Sequence, residues 1–304
     1  MRAFVFPGQG SQYSGMGQDL VEAFPEAREV FREADDQLGF PISRLCFEGP
    51  DDQLKLTEHT QPAILTVSVA LFRILEARGK LPDFVAGHSL GEYSALVAAG
   101  ALAFGDAVRV VRQRGRFMQE AVPVGVGAMA AIIGLESGVL ATICQEAEQG
   151  QVVSPANINA PGQLVIAGHR EAVERAGKLA TENGARKVVP LPVSAPFHCA
   201  LMKPAQERLA TELAAIRFGD LKVPLVNNVD ACLITSGEEA RAGLIRQVSS
   251  AVRWVDDVER LVREGVHEFV EVGPGKVLSG LIRRIARDAT VTQVGTAEEV
   301  QAYV

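Results

Sequence analysis

Residues 83–96 read DFVAGHSLGEYSAL, and this stretch decides the fold. Its first six residues form a short apolar run typical of a buried strand, and the residues from Gly91 onward predict a helix. Ser89 stands in the turn between them, spaced equally from Gly87 and Gly91. A serine in a tight strand–turn–helix connection is the arrangement called a nucleophile elbow. Because the short pattern G-x-S-x-G also arises by chance, its surroundings have to show whether Ser89 attacks a substrate or fills a crowded turn.

Composition and charge narrow the class of protein. The 304 residues are 47% hydrophobic and 22% charged, an ordinary globular balance for one large domain with or without a smaller insertion. The net charge of −7 and the lack of a long basic run argue against a nucleic-acid partner. Four cysteines without a C-x-x-C pair argue against a metal site and against a disulfide framework.

The apolar segments predict no membrane insertion. The run before Pro7 is too short for a signal peptide. The longest apolar stretch, PAILTVSVALFRIL at residues 62–75, is interrupted by Arg73 and is shorter than the ~20 residues that a span needs. We therefore expect a cytoplasmic protein without a membrane partner.

The middle of the chain has its own alternation of predicted strands and helices. Predicted strands at 127–135, 151–158, 161–169 and 185–193 alternate with predicted helices at 136–149 and 170–184. The order βαββαβ is that of the ferredoxin-like unit, so we interpret residues 125–194 as a small inserted domain. Residues 1–124 and 195–304 then form a large α/β domain. Its strands include residues 2–6, 83–88 and 267–272, and its helical patterns cover residues 16–38, 60–77, 105–120 and 276–288.

A glycine-dense tract, FPGQGSQYSGMG at residues 6–17, follows the first strand. It fails the dinucleotide-binding pattern because Tyr13 stands three positions after Gly10, and it fails the Walker pattern because Met16 follows Gly15 where a lysine is required. Two interpretations stay open. The tract is a structural turn, or its backbone N–H groups face Ser89 and help to bind an oxyanion.

A nucleophilic serine needs a base, and the chain has five histidines: His59, His88, His169, His198 and His267. His88 adjoins Ser89, and neighbouring side chains at a strand end point to opposite sides. Three others start a helix or flank apolar strands, where capping and structural roles are common. By elimination, His198 is the best candidate base. Since no acid between Ser89 and His198 stands alone on a loop of the large domain, we expect a Ser–His dyad whose imidazole is oriented by a neutral group.

One charged residue falls within the apolar stripe of the helix at 105–120. At 3.6-residue periodicity that stripe comprises Ala107, Val110, Val111, Arg114, Phe117, Met118 and Ala121. A guanidinium in such a stripe is costly unless an anion pairs with it. Arg114 therefore either forms a structural salt bridge or holds a substrate carboxylate through two parallel hydrogen bonds.

Together these tracts resemble one family, the malonyl-CoA:acyl-carrier-protein transacylases of fatty-acid synthesis. The similarity runs from FPGQGSQ at 6–12 to EVGPGKVLSGL at 271–281. Between them it includes GHSLGEYSAL, RGRFMQEAVP, VSPANIN, PGQLVIAGH, ALMKP and PLVNNVD. The resemblance implies a hydrolase-like α/β domain that carries a ferredoxin-like insertion. It implies malonyl transfer from malonyl-CoA to the phosphopantetheine thiol of acyl carrier protein, without a cofactor.

The resemblance also implies roles for particular residues. Ser89 matches the nucleophile that becomes malonylated, His198 matches its base, and Arg114 matches the partner of the malonyl carboxylate. Gln9 and Leu90 match the backbone donors of the oxyanion hole.

Three further positions follow from the resemblance. Gln247 matches a glutamine whose backbone carbonyl orients the histidine, although the tract after it reads Ser249–Val252, SSAV, where the family commonly has a proline. Asn157 and Asn159 match positions near the bound thioester.

Two rival functions share part of this pattern. A serine hydrolase such as a thioesterase would use the same elbow but would leave Arg114 without a purpose. A non-catalytic carrier-binding subunit would not need the serine, the histidine and the arginine together. The basic residues Lys276, Arg283, Arg284 and Arg287 are either a solvated helix face or a docking patch for an acidic carrier protein.

Overall fold

The computed structural model describes residues 1–193 and 195–304. The described residues form ten strands: Arg2–Phe6 (β1), Phe84–Gly87 (β2), Gly127–Ile133 (β3), Val153–Ala160 (β4), Gln163–His169 (β5), Lys187–Pro190 (β6), Leu225–Val226 (β7), Leu233–Ile234 (β8), Glu268–Val272 (β9) and Thr290–Val294 (β10). The first seven helices are Gln18–Ala23 (α1), Pro25–Leu38 (α2), Ile42–Glu48 (α3), Asp51–Leu54 (α4), Thr57–Ala77 (α5), Gly91–Ala98 (α6) and Phe104–Glu120 (α7). The other seven are Ser137–Glu148 (α8), Arg170–Glu182 (α9), Lys203–Ala214 (α10), Gly237–Gln247 (α11), Trp254–Arg263 (α12), Val277–Ile285 (α13) and Ala297–Tyr303 (α14).

The larger of two sheets has six strands in the order β10-β9-β1-β2-β7-β8. The first five run parallel, and β8 pairs antiparallel with β7. Residues 3–6 of β1 are fully buried, because helices cover both faces of a parallel sheet. The prediction of a mixed α/β fold is confirmed.

The smaller sheet is antiparallel and has the strand order β4-β5-β3-β6. Its elements follow each other as β3-α8-β4-β5-α9-β6, which is the βαββαβ order of the ferredoxin-like unit. A separate apolar cluster lies between this sheet and its two helices. All of these elements fall between residues 127 and 190. The division of the chain at residues 125 and 194 stays a prediction, and Ser194 lies outside the described residues.

The helical pattern at residues 16–38 is two helices rather than one. Phe24 is extended, with φ −128° and ψ 127°, and Pro25 starts the second helix. A residue before proline is driven out of the α region, so the break follows from Pro25.

The stretch PAILTVSVALFRIL lies in α5, a 21-residue helix. By length and composition it is the one helix in the described part of the chain that passes the test for a membrane span. The fold buries 83% of its most apolar window, so the feature is weak evidence for a span.

Candidate active site

Ser89 occupies a turn that only glycine neighbours allow. Strand β2 ends at Gly87, helix α6 begins at Gly91, and Ser89 has a φ of 54°, in the left-handed region. A Cβ on Gly87 would lie 2.0 Å from the backbone of Gly91, and a Cβ on Gly91 would lie 2.0 Å from the carbonyl oxygen of Phe6. Strand and helix therefore cross too closely for side chains, and this contact is the physical reason for the G-x-S-x-G spacing.

His198 lies against the serine. Its Nε2 is 2.7 Å from Ser89 Oγ, and its Nδ1 is 2.9 Å from the backbone carbonyl oxygen of Gln247. Since a carbonyl only accepts, Nδ1–H donates to it and Nε2 is left to accept from the serine hydroxyl. Burial, together with the nearby Arg114 cation, lowers the pKa of His198 to about 3. The imidazole is therefore neutral near pH 7 and able to take a proton.

The other histidines have different partners. His88 Nε2 lies 2.8 Å from Asn159 Oδ1, and His59 Nδ1 lies 3.0 Å from a backbone carbonyl. His169 Nδ1 accepts from the backbone N–H of Val152, directly before β4, and His267 Nδ1 lies against the carbonyl oxygen of Met1. The side chain of Asn159, which was expected near the thioester, is therefore hydrogen-bonded to His88.

Arg114 is 1% exposed and reaches the serine from α7. Its Nη2 lies 3.1 Å from Ser89 Oγ and 2.9 Å from Gln247 Oε1, while its Nη1 lies 2.8 Å from Gln61 Oε1. Each of these acceptors is neutral, and within the described residues no carboxylate forms an ion pair with Arg114. Arg114 was expected either to form a structural salt bridge or to hold a substrate carboxylate, and the salt bridge does not occur among the described residues.

Gln247 joins the histidine to the arginine. Its backbone carbonyl accepts from His198, its Oε1 accepts from Arg114, and its Nε2 donates to the carbonyl of Ser89 at 3.0 Å. The same Nε2 donates to Glu92 Oε2 at 2.8 Å. This geometry forms at the end of α11 although the tract after Gln247 lacks a proline.

Sequence reasoning missed a buried polar network beneath the elbow. Asn228 Oδ1 accepts from the backbone N–H of Ser89 at 2.7 Å, and the Asn228 side-chain amide donates to Asp257 at 2.9 Å. The backbone N–H of Asn228 donates to Glu92 at 3.1 Å. Burial raises the pKa of Glu92 to about 7 and raises that of Asp257 well above its usual range. The sequence feature that could have indicated this network is Glu92, the lone acid in the apolar segment at residues 91–100.

A cavity of about 460 Å³ opens above these groups. Ser89, His198 and Arg114 line it, and the small sheet contributes Met129 and Asn157. The cavity therefore lies where the two sheets approach each other.

The two expected oxyanion donors border the same space. Gln9 and Leu90 both line the cavity, and no acceptor in the described ranges takes a hydrogen bond from either backbone N–H. Two such donors at the tip of an elbow suit an oxygen that develops negative charge.

The fold and the elbow define a class of enzymes that form an acyl-serine. The chain belongs to the acyl transferase domain family, whose model matches residues 3–302. It is 54% identical over 301 residues to the malonyl CoA-acyl carrier protein transacylase of Escherichia coli (strain K12). The aligned region covers 99% of this chain and 97% of that protein. It is 49% identical over 303 residues to the enzyme of the same name from Bacillus subtilis (strain 168), with 99% and 96% covered.

Solved structures agree with these relatives. An acyl carrier protein S-malonyltransferase from Vibrio cholerae superposes with a TM-score of 0.98 at 48% identity, over 100% of this chain and 99% of that one. A malonyl-transacylase in complex with a type II PKS acyl-carrier protein superposes with a TM-score of 0.97 at 49% identity, over 99% and 98%. Similarity over full length at such identity confirms the family resemblance of the sequence.

Proposed function

We propose that the chain transfers the malonyl group from malonyl-CoA to the phosphopantetheine thiol of acyl carrier protein, through a malonyl-serine intermediate. The observation that carries this proposal is the buried guanidinium of Arg114, which lies 3.1 Å from Ser89 Oγ and forms no ion pair within the described residues. A substrate with a carboxylate close to its reacting carbonyl suits that arrangement. The relatives named malonyl CoA-acyl carrier protein transacylase support the same reaction.

The first half-reaction acylates the enzyme. Ser89 Oγ attacks the thioester carbonyl while His198 Nε2 takes the hydroxyl proton. The backbone N–H groups of Gln9 and Leu90 donate to the oxyanion, and each such donor is worth on the order of 3 kcal/mol in related chemistry. The Gln247 carbonyl stabilises the imidazolium through Nδ1–H. The proton then passes to the departing CoA sulfur, and the serine is left as its malonyl ester.

The second half-reaction reverses these steps with a new thiol. His198 takes the proton of the phosphopantetheine thiol, whose sulfur attacks the malonyl-serine carbonyl, and Ser89 recovers its proton from the imidazolium. Arg114 holds the carboxylate in both steps. Asn157 lines the cavity and is placed to contact the thioester end of the substrate, whereas Asn159 acts by fixing His88. Malonyl-CoA is a substrate here, and the reaction needs no cofactor.

The intact mass of the protein after mixing with malonyl-CoA tests this function against its rivals. We expect an adduct that lasts on Ser89 and disappears when carrier protein with its phosphopantetheine arm is added. Rapid release of free malonate without a carrier would identify a hydrolase. No adduct at all would leave only a binding subunit.

We also infer a cytoplasmic location. All four cysteines are free thiols, which suits a reducing compartment. Fractionation of cells that express the chain from its own gene would test this inference.

A further inference from the structure

The side chain of Asn228, just after β7, is hydrogen-bonded to the backbone of the elbow on both sides of His88. Its Oδ1 accepts from the N–H of Ser89 at 2.7 Å, and its Nδ2 donates to the carbonyl oxygen of Gly87 at 2.7 Å. Because a backbone N–H only donates and a carbonyl only accepts, these two bonds fix which end of the amide is oxygen and which is nitrogen.

The remaining hydrogen-bonding positions of the same amide are also filled. Nδ2 donates to Asp257 Oδ2 at 2.9 Å, and Oδ1 accepts from Gln247 Nε2 at 3.2 Å. An asparagine amide offers two donors and two acceptor lone pairs, and all four are used here in a residue that is 0% exposed. A buried amide that is fully satisfied holds its partners in one geometry.

The backbone that this amide holds is strained. Ser89 has a φ of 54°, and the left-handed region is unfavourable for a residue other than glycine. Such a conformation persists only where the surrounding structure enforces it. The bonds from Asn228 to residues 87 and 89 supply that enforcement from outside the elbow.

The N–H of Ser89 is directed away from the substrate. In the chymotrypsin-type triad the nucleophile's own N–H helps to bind the oxyanion. Here that N–H donates to Asn228, a buried residue that does not line the cavity. The bond therefore orients the nucleophile and is not a contact with the substrate.

The same side chain also contacts the residue that orients the base. Gln247 donates its side-chain N–H to Asn228, and its backbone carbonyl accepts from His198 Nδ1 at 2.9 Å. His198 Nε2 in turn lies 2.7 Å from Ser89 Oγ. One amide is thus bonded both to the residue that carries the nucleophile and to the residue that fixes the imidazole.

We propose that Asn228 is a positioning residue for acylation, because its side-chain amide holds the elbow in the left-handed turn and so keeps Ser89 Oγ within hydrogen-bond reach of His198 Nε2. Asn228 itself contacts neither the substrate nor the reacting atoms. The inference rests on the proposed acyl transfer and adds a residue that acts through the nucleophile.

The variant Asn228→Ala removes all four hydrogen bonds. Single turnovers with malonyl-CoA, followed by intact mass, give the acylated fraction of the protein, the maximal rate constant and the malonyl-CoA concentration at half-maximal rate. We expect the rate constant to fall about 10²-fold, as a misplacement of ~1 Å can cause. The half-maximal concentration should stay within about twofold and the acylated fraction complete, since Asn228 acts on the chemical step and not on substrate binding.

Two further variants separate positioning from folding. Asn228→Asp keeps the size and an oxygen that accepts from the Ser89 N–H, so it should recover at least about tenfold of the lost rate. Asn227→Ala is the matched control. Asn227 is an adjacent asparagine, 2% exposed, whose side chain bonds Asp230 and the N–H of Cys232. Its rate constant should stay within about twofold of that of the unsubstituted protein.

An unchanged rate constant in a folded Asn228→Ala variant would overturn the proposal, as would an equal loss in Asn227→Ala or no recovery in Asn228→Asp. A loss confined to the acylated fraction, or failure of both Asn228 variants to fold, would also overturn it, since either result assigns this residue a structural role only. If the unsubstituted protein formed no malonyl adduct, the proposed function would be contradicted instead, so the two failures are distinguishable.

Discussion

His198 Nδ1 lies 2.9 Å from the backbone carbonyl oxygen of Gln247, in the position where a Ser–His–acid triad has its carboxylate. A carbonyl fixes the tautomer and orientation of the imidazole with a partial charge only. The nearby acid, Glu92, accepts a hydrogen bond from the side chain of Gln247 and not from the imidazole. The arrangement makes the acid a support for the glutamine and gives the base a neutral hydrogen-bond acceptor at Nδ1.

The absence of a triad acid is testable by substitution. His198→Ala should reduce malonyl transfer by about 10³- to 10⁴-fold, as the loss of a general base does in related enzymes. Glu92→Gln and Asp106→Asn should each cost far less, because neither carboxylate contacts the imidazole. Steady-state rates of the three purified variants give the comparison. A loss on the order of 10⁴-fold from any single acid between residues 90 and 197 would restore a triad.

Covalent labelling tests the nucleophile itself. Ser89→Ala should abolish the malonyl adduct and leave the fold intact, because the change removes one hydroxyl from an elbow that the flanking glycines define. Intact mass and a thermal unfolding curve are the two measurements. A malonyl adduct on another residue of a folded Ser89→Ala variant would show that the elbow is misinterpreted.

Glu92 should impose a pH dependence on stability. Its pKa is raised by burial to about 7 in the folded chain, against about 4.3 when unfolded. Between these two pKa values the folded state binds a proton that the unfolded state does not bind. The stabilisation of the fold by this proton is fully present below pH 4 and is lost as the pH rises through 7. Glu92→Gln cannot ionise. From pH 5 to pH 8, the free energy of unfolding of this variant should therefore increase relative to that of the unsubstituted protein, by at most about 1.4 kcal/mol per pH unit.

Urea unfolding at several pH values measures that difference, with Glu148→Gln as an exposed control for the loss of one carboxyl group. A difference that stays flat from pH 5 to pH 8 for Glu92→Gln would mean that the buried acid does not titrate there.

The sequence predicted those parts of the site whose signals are local. The glycine spacing around Ser89 reflects contacts within a few residues, and the strand and helix periods of the small sheet are equally local. Pro25 carried a local signal too, and the break before it was missed. Gln247 came only from the family resemblance. Gln247 contacts Glu92, 155 positions away, and Asn228, 19 positions away, so tertiary packing brings these residues together.

The docking surface for the carrier protein stays a prediction. Lys276, Arg283, Arg284 and Arg287 are all exposed, and Arg284 also donates to the carbonyl of Pro161 in the segment between β4 and β5. Reversing the charges of Arg283 and Arg284 to glutamate should slow transfer to an acidic carrier and spare acylation by malonyl-CoA, because only the carrier needs the patch. Separate rates of the two half-reactions are required, with Arg32→Glu and Arg44→Glu as the charge-matched control. An equal loss in both half-reactions would assign these arginines a structural role.

The malonyl-to-acetyl ratio of a folded Arg114→Ala variant tests most directly the claim that this residue recognises the substrate carboxylate. The substitution removes a guanidinium whose hydrogen-bond acceptors among the described residues are all neutral. The activation free energy of malonyl transfer should rise by about 2–4 kcal/mol, which is the cost of one broken buried charge pair. Acetyl transfer should hold or rise, because acetyl brings no charge to pair with an arginine. A ratio equal to that of the unsubstituted protein would contradict the account.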